Sequence, residues 1–117
     1  MNALRNRVQL IGNLGANPEI KKFENGKTLA RISLATTEKY KNEEGKLVSE
    51  TQWHHVTAWG NLANTAEKYL KKGSEVVIEG KLIYRNYENK EGKKQYITEI
   101  VAHELVLLGK KIAESQL

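Results

Sequence analysis

The sequence has no cysteine and no aspartate, and only one proline, one methionine and one phenylalanine. Without cysteine there is no disulfide framework, zinc ribbon, iron–sulfur cluster or thiol nucleophile. Without aspartate, a hydrolytic or metal centre would have to be assembled from glutamate and three histidines. His54 and His55 do not supply one, because neighbours on a strand face opposite sides and cannot share an ion. His103 adds no recognisable ligand spacing. Gly12-Asn13-Leu14-Gly15 shares its letters with the clamp of KH domains, but it ends a strand and reads as a turn. There is no GxGxxG run and no Walker-type lysine. Ser33, Ser49, Ser74 and Ser115 have no base placed beside them. No metal, cofactor or enzymatic activity is expected. No apolar run reaches the ~18–20 residues that span a bilayer, so no membrane partner is expected either.

What is present is a basic, globular composition. The 117 residues suit one domain, and 39% hydrophobic against 28% charged residues suits a packed core. Lys and Arg number 19 against 14 acidic residues, a net charge of +5. That excess is the electrostatic footprint of a polyanion binder, in which displaced counterions favour the complex. Met1-Asn2-Ala3-Leu4-Arg5 leads straight into a patterned segment, so no secretory signal is expected. The expected compartment is a reducing cytoplasm.

Glycine punctuates the pattern throughout. Residues 4–12 predict a strand, with Val8 and Leu10 alternating against Arg7 and Gln9. Asn25-Gly26 is a hairpin signal, since both residues tolerate positive φ. In the next strand Ala30, Ile32 and Leu34 share one face, and Arg31, Ser33 and Ala35 the other. Residues 38–50 read as a charged loop turning at Glu44-Gly45, and a third strand covers 51–59. Leu62, Ala66, Tyr69 and Leu70 then recur at helical spacing, with Asn61 as N-cap and Lys71-Lys72-Gly73 as the close. A strand over 75–87, a turn at Glu91-Gly92 and a last strand over 95–108 complete the chain. The last strand is apolar on both faces in places (Ile97, Ile100, Val101, Leu105), so neither face is assigned inward. Three strands, one helix, two strands is the order of the OB-fold, a mostly β, five-stranded Greek-key barrel with one helix between strands 3 and 4.

The aromatics suggest how such a barrel would be used. Trp53 and Trp59 point the same way as His55 and Thr57, while Val56 and Ala58 point to the core. At ~3.3 Å per residue the two indoles lie roughly 20 Å apart, enough to serve different bases of an extended strand. Lys81, Arg85 and Tyr87 share the parity opposite Val76, Ile78 and Leu82. Exposed rings among cations suit sequence-tolerant binding of single strands, since any base stacks and cations follow phosphates. Tyr40 and Tyr87, near loop ends, are further stacking candidates, whereas Phe23, Tyr69 and Tyr96 read as packing residues. The same parity also fits half-buried barrel tryptophans and ordinary solvated lysines.

Several segments together resemble the bacterial single-stranded DNA-binding proteins. They are Asn6-Arg7-Val8 through Gly12-Asn13-Leu14-Gly15 and Pro18-Glu19, then Ile32-Ser33-Leu34-Ala35-Thr36, Trp53-His54 and Trp59-Gly60-Asn61-Leu62-Ala63. Tyr69-Leu70-Lys71-Lys72-Gly73-Ser74 and Ile78-Glu79-Gly80-Lys81-Leu82 continue the match, which covers about residues 4–108. The resemblance implies an OB-fold protomer of a homotetramer that wraps and protects single-stranded DNA in replication, recombination and repair, in the bacterial cytoplasm at the nucleoid. It assigns base stacking to Tyr40, Trp53, Trp59 and Tyr87, and phosphate contacts to Arg7, Lys41, Lys72 and Arg85. Lys81, on the same non-core face, joins them. Asn61 and Asn86 stand at two basic positions of the family and His55 replaces an arginine, which leaves the path in place at reduced charge. His54 matches an interface histidine. The expected domain is 1–109, with 110–117 a short extension lacking the family's flexible linker and acidic tip. Replication and repair partners, which the family recruits through that tip, are therefore not implied, and the expectation is a truncated or tailless form. Two other OB-fold readings stand beside this one: an RNA-binding or translation factor, and a primosome-type accessory protein.

Overall fold

Alternating apolar residues build a closed barrel in the computed structural model, which describes residues 3–108. A 3-10 turn, Ala3–Arg5, precedes β1 (Val8–Leu14), β2 (Glu19–Lys22), β3 (Thr28–Lys41) and β4 (Leu47–Trp59). Helix α1 (Asn61–Tyr69), β5 (Glu75–Glu88) and β6 (Lys94–Leu107) follow. The strands run in the order β1-β5-β6-β4-β3-β2, and β1 also pairs with β3 through Asn13–Ala35 and Leu14–Leu34, which closes the ring. This is the expected five-stranded OB barrel, with the helix between β4 and β5. The short strand β2 is a sixth, lying outside the ring on β3 and joined to it by the Asn25-Gly26 turn.

Inward residues of every ring strand meet in one core: Leu14, Ile32, Leu34, Val56, Val76, Ile78 and Ile100 are all buried. Helix α1 covers this core with Ala63 and Ala66, and its C-cap Leu70 is buried there too; of the residues at the expected helical spacing, Leu62, Ala66 and Leu70 pack on the core and Tyr69 does not. Its start differs from expectation. Gly60, at φ 64°, is the N-cap and Asn61 is the first helical residue, with no side-chain capping bond. The tight exit from Trp59, where the Gly60 N–H bonds the Thr28 carbonyl at 3.0 Å, needs positive φ, and glycine supplies it at no steric cost.

One expectation is corrected by strand length. The charged stretch 38–50 is not a loop, since β3 and β4 stay paired out to Lys41–Leu47. The turn is confined to the tip, where the Asn42 side-chain oxygen accepts from the N–H groups of Glu44 (2.9 Å) and Lys46 (3.0 Å). Asn89 does the same for Glu91 and Lys93 at the tip of the β5–β6 hairpin. These Asx turns fix both arms. Because the arms leave the barrel, both faces are solvated, and pairing persists where hydrophobic alternation has stopped.

The last strand also resolves. Glu79 pairs with Glu104 but Gly80 pairs with Ala102, so His103 is an extra residue in β6. Such a bulge reverses parity: Ile100 and Ala102 face inward before it, and Leu105 and Leu107 pack on the core after it. Two expected packing residues are exposed instead. Tyr96, 74% exposed, lies on the β5–β6 arm beyond the barrel, and Tyr69 lies on the outer side of α1. Among the described residues no helix is long and apolar enough to cross a membrane.

Candidate nucleic-acid interface

The outward residues of the barrel form one continuous row around half of it. Lys81 pairs with Val101, Val101 with Thr57, Thr57 with Arg31, and Arg31 with Glu19. Parallel to that row, Ser33 pairs with His55, Ala35 with Trp53, and Leu29 with Trp59. Trp53, His55, Thr57 and Trp59 therefore share one face, as strand alternation requires. Trp53 is 59% exposed and Trp59 39% exposed. Both offer ring surface to solvent on the outer face of the barrel, away from its core.

Each indole has its own support. Gly15, whose N–H bonds the Ser33 carbonyl at 2.9 Å, lies against the edge of Trp53. A Cβ there would stand 2.7 Å from the indole Cη2 and closer still to Cζ3, so the ring can lie here only over a glycine. Trp59 stacks on Phe23, with centroids 6.0 Å apart and an interplanar angle of 19°. Phe23, expected in the packing set, thus does pack, but on the outer face against another exposed ring.

Thr57 has the outward parity expected of it but is buried. It is 5% exposed, and its hydroxyl has no hydrogen-bond partner among the described residues. It lies at the floor of a cleft between the β3–β4 face, the 15–18 loop and the β5–β6 arm, lined also by Arg31, Ser33, His55, Arg85 and Tyr87. Arg85 is held there by Glu99, Nε donating to Oε1 at 3.0 Å. A charge-assisted bond of this kind fixes the guanidinium in the cleft but also offsets part of its charge.

The remaining sequence-predicted residues are dispersed around this centre. Tyr40 and Lys41 are exposed at the end of β3, on the β3–β4 arm. Lys72 lies in the turn after α1, its N–H donating to the Asn17 side chain at 2.8 Å, which ties that turn to the loop bordering the cleft. Lys81 stands at the far end of the Thr57 row. Arg7 is not brought to the cleft: it immediately precedes β1 and is paired with Glu79 of β5. His54 faces away from Trp53 and is partly buried, its Nε2 2.9 Å from the Thr36 hydroxyl. Among the described residues no group of three or more histidines and acids is arranged to hold a metal ion.

Sequence reasoning missed Arg31 and Phe23 as members of this surface. Arg31 was legible, because it alternates with Ile32 on the outward parity of β3. Phe23 was not, because its place depends on β2 folding back beside β3 so that Lys21, Leu29 and Trp59 form one row.

The profile of the Single-strand binding protein family matches residues 5–108. Over 107 residues the chain is 46% identical to Single-stranded DNA-binding protein 1 of Xylella fastidiosa (strain 9a5c), covering 91% of this chain and 79% of that protein. It is 45% identical to Single-stranded DNA-binding protein 1 of Chlorobaculum tepidum, covering 91% of this chain but 66% of that one. Among solved structures, one described as a Plasmodium falciparum SSB complex with ssDNA superposes with a TM-score of 0.80 at 33% identity, covering 89% of this chain and 95% of the other. By sequence and by fold alike, this chain belongs to the single-strand binding protein family.

Proposed function

We propose that the protein binds single-stranded DNA without sequence preference and without catalysis, protecting it in replication, recombination and repair. The observation that carries this reading is the shared face of Trp53, His55 and Trp59, bordered by Arg31, Arg85 and Tyr87. Two exposed indoles at the two ends of that face suit different bases of one extended strand, and base stacking is tolerant of sequence because every base has a π-face. Tyr40 and Tyr87 extend the path onto the two arms, and Lys41, Lys72, Lys81 and Arg85 follow its phosphates. Arg7 contributes once the strand competes with Glu79 for it. Residues 5–108 form the binding unit.

The protein acts as a homotetramer in this reading. Supporting it, Ile11 pairs with Val77 and Val77 with Val106, an apolar row on the outer side of β1, β5 and β6, with Ile11 and Val106 exposed. A second copy would cover that row, and His54 belongs to a subunit boundary. Of the apolar residues the sequence shows in β6, Ile97 lines the cleft, Val101 pairs with Thr57 in the outward row and Leu105 packs on the core, which leaves Val106 for this role. Ile11→Glu should therefore shift the mass measured by light scattering from four protomers toward fewer. A wild-type mass of one protomer at micromolar concentration contradicts the assembly.

The function is tested by titrating labelled oligo-dT, oligo-U and duplex DNA at two salt concentrations. The reading requires oligo-dT to bind much tighter than duplex, with a log–log salt slope of roughly −0.7 per phosphate neutralised. Equal affinity for duplex overturns it, and a preference for oligo-U converts it to an RNA-binding role.

A further inference from the structure

Strand β2 lies outside the barrel, yet it is fixed on both sides. Ile20 packs on the core, and Lys22 pairs with Glu67 of α1 at 3.8 Å. With these inward, Lys21 is turned to the outer face. Phe23 closes the hairpin, its N–H bonding the Lys27 carbonyl at 2.8 Å and its carbonyl accepting from Gly26 at 3.0 Å. The backbone therefore fixes the point from which the Phe23 ring projects before any ligand arrives. That ring lies on Trp59, and Lys21 Nζ stands 5.5 Å from its centroid, making a ladder of cation, phenyl and indole.

The spacing within the ladder constrains its use. A base held between two rings needs about 7 Å between their planes, two separations of ~3.5 Å. Phe23 and Trp59 have centroids 6.0 Å apart and nearly parallel planes, so no base enters between them. Phe23 itself occupies the place a base would take on that side of the indole.

We propose that Phe23 is a positioning residue for a nucleotide subsite at the β2 end of the path. It docks on one side of Trp59, leaves the remaining exposed indole surface for a single base, and carries Lys21 to the phosphate of that nucleotide. This rests on the single-strand-binding reading above and extends the path onto β2, which the barrel itself does not need. Pre-ordering the indole reduces the side-chain entropy lost on binding.

The test uses a Trp53→Phe parent, in which Trp59 is the sole indole. Phe23→Ala should lower affinity for oligo-dT by at least about fivefold, the lower end of one base stack. It should also give the free protein faster local motion of Trp59 in time-resolved fluorescence anisotropy. Phe23→Tyr should restore both, which a loss of stability alone would not predict. Lys21→Gln should leave the anisotropy unchanged and make the salt slope shallower by roughly 0.7 for each phosphate no longer neutralised. Unchanged affinity and unchanged indole motion in Phe23→Ala overturn the proposal, as does a lower melting temperature with normal binding well below it. Failure of the underlying reading looks different: the parent itself would bind no oligo-dT.

Discussion

Gly15→Ala separates the position of Trp53 from the mere presence of an indole. The new methyl would lie 2.7 Å from Cη2, whereas carbon atoms touch at ~3.5 Å, so the ring must shift by about 0.8 Å or more. The backbone at Gly15 is pinned by its bond to Ser33 and has no positive φ, so the substitution acts through the ring rather than through backbone strain. Trp53 is largely exposed and can swing into solvent, which keeps the stability change within ~1 kcal/mol, under about 8 °C in Tm for a domain of this size. Binding should suffer more. A displaced platform forfeits part or all of one base stack, ~1–3 kcal/mol, or roughly 5- to 150-fold in Kd for oligo-dT. The assay is a double-mutant cycle by calorimetric titration with Trp53→Ala. In that background the Cβ has no indole to displace, so Gly15→Ala should cost almost nothing and the two effects should be strongly non-additive. An equal cost in both backgrounds would refute the reasoning.

Three other outcomes follow from the same geometry. Glu99→Gln removes a carboxylate from beside Arg85, so affinity should rise roughly three- to tenfold at low salt and converge with wild type at high salt; a fall would mean that Glu99 serves mainly to orient the guanidinium. Trp53→Ala should weaken binding with little change in salt slope, while Arg85→Ala should make the slope shallower by roughly 0.7 per phosphate, equally on dT and mixed sequences; exchanged behaviour would invert their roles. Ile78→Ala, at a fully buried position of β5, should cost ~2–5 kcal/mol in chemical denaturation, and a loss under ~1 kcal/mol would place it outside the core.

How much of this was legible depended on whether a segment obeys a single period. β3 through residue 35 and α1 each carry one, so the inward faces of Ala30, Ile32 and Leu34 and of Ala66 and Leu70 followed directly. β6 does not, because the bulge at His103 moves its apolar residues from one parity to the other. The arms have no buried face, and Lys39, Glu50 or Tyr96 give no sign of which face they occupy when both are wet. The exposed face of Trp53 and Trp59 was legible from alternation. What supports it was not, because Gly15 against one ring and Phe23 against the other come from segments distant in sequence. The burial of Thr57 was not legible for a related reason: its parity is outward, as alternation predicts, but the cleft covers it.

The central claim is that one strand of DNA runs along the outer face of β4 and meets both indoles. Trp53→Phe and Trp59→Phe each leave a single tryptophan, and each variant can be titrated with the same oligo-dT while its emission is followed. The account predicts that both remaining indoles are quenched, with saturation at the same ratio of DNA to protein. Quenching of only one, or of neither at saturating oligo-dT, would contradict a continuous path across that face.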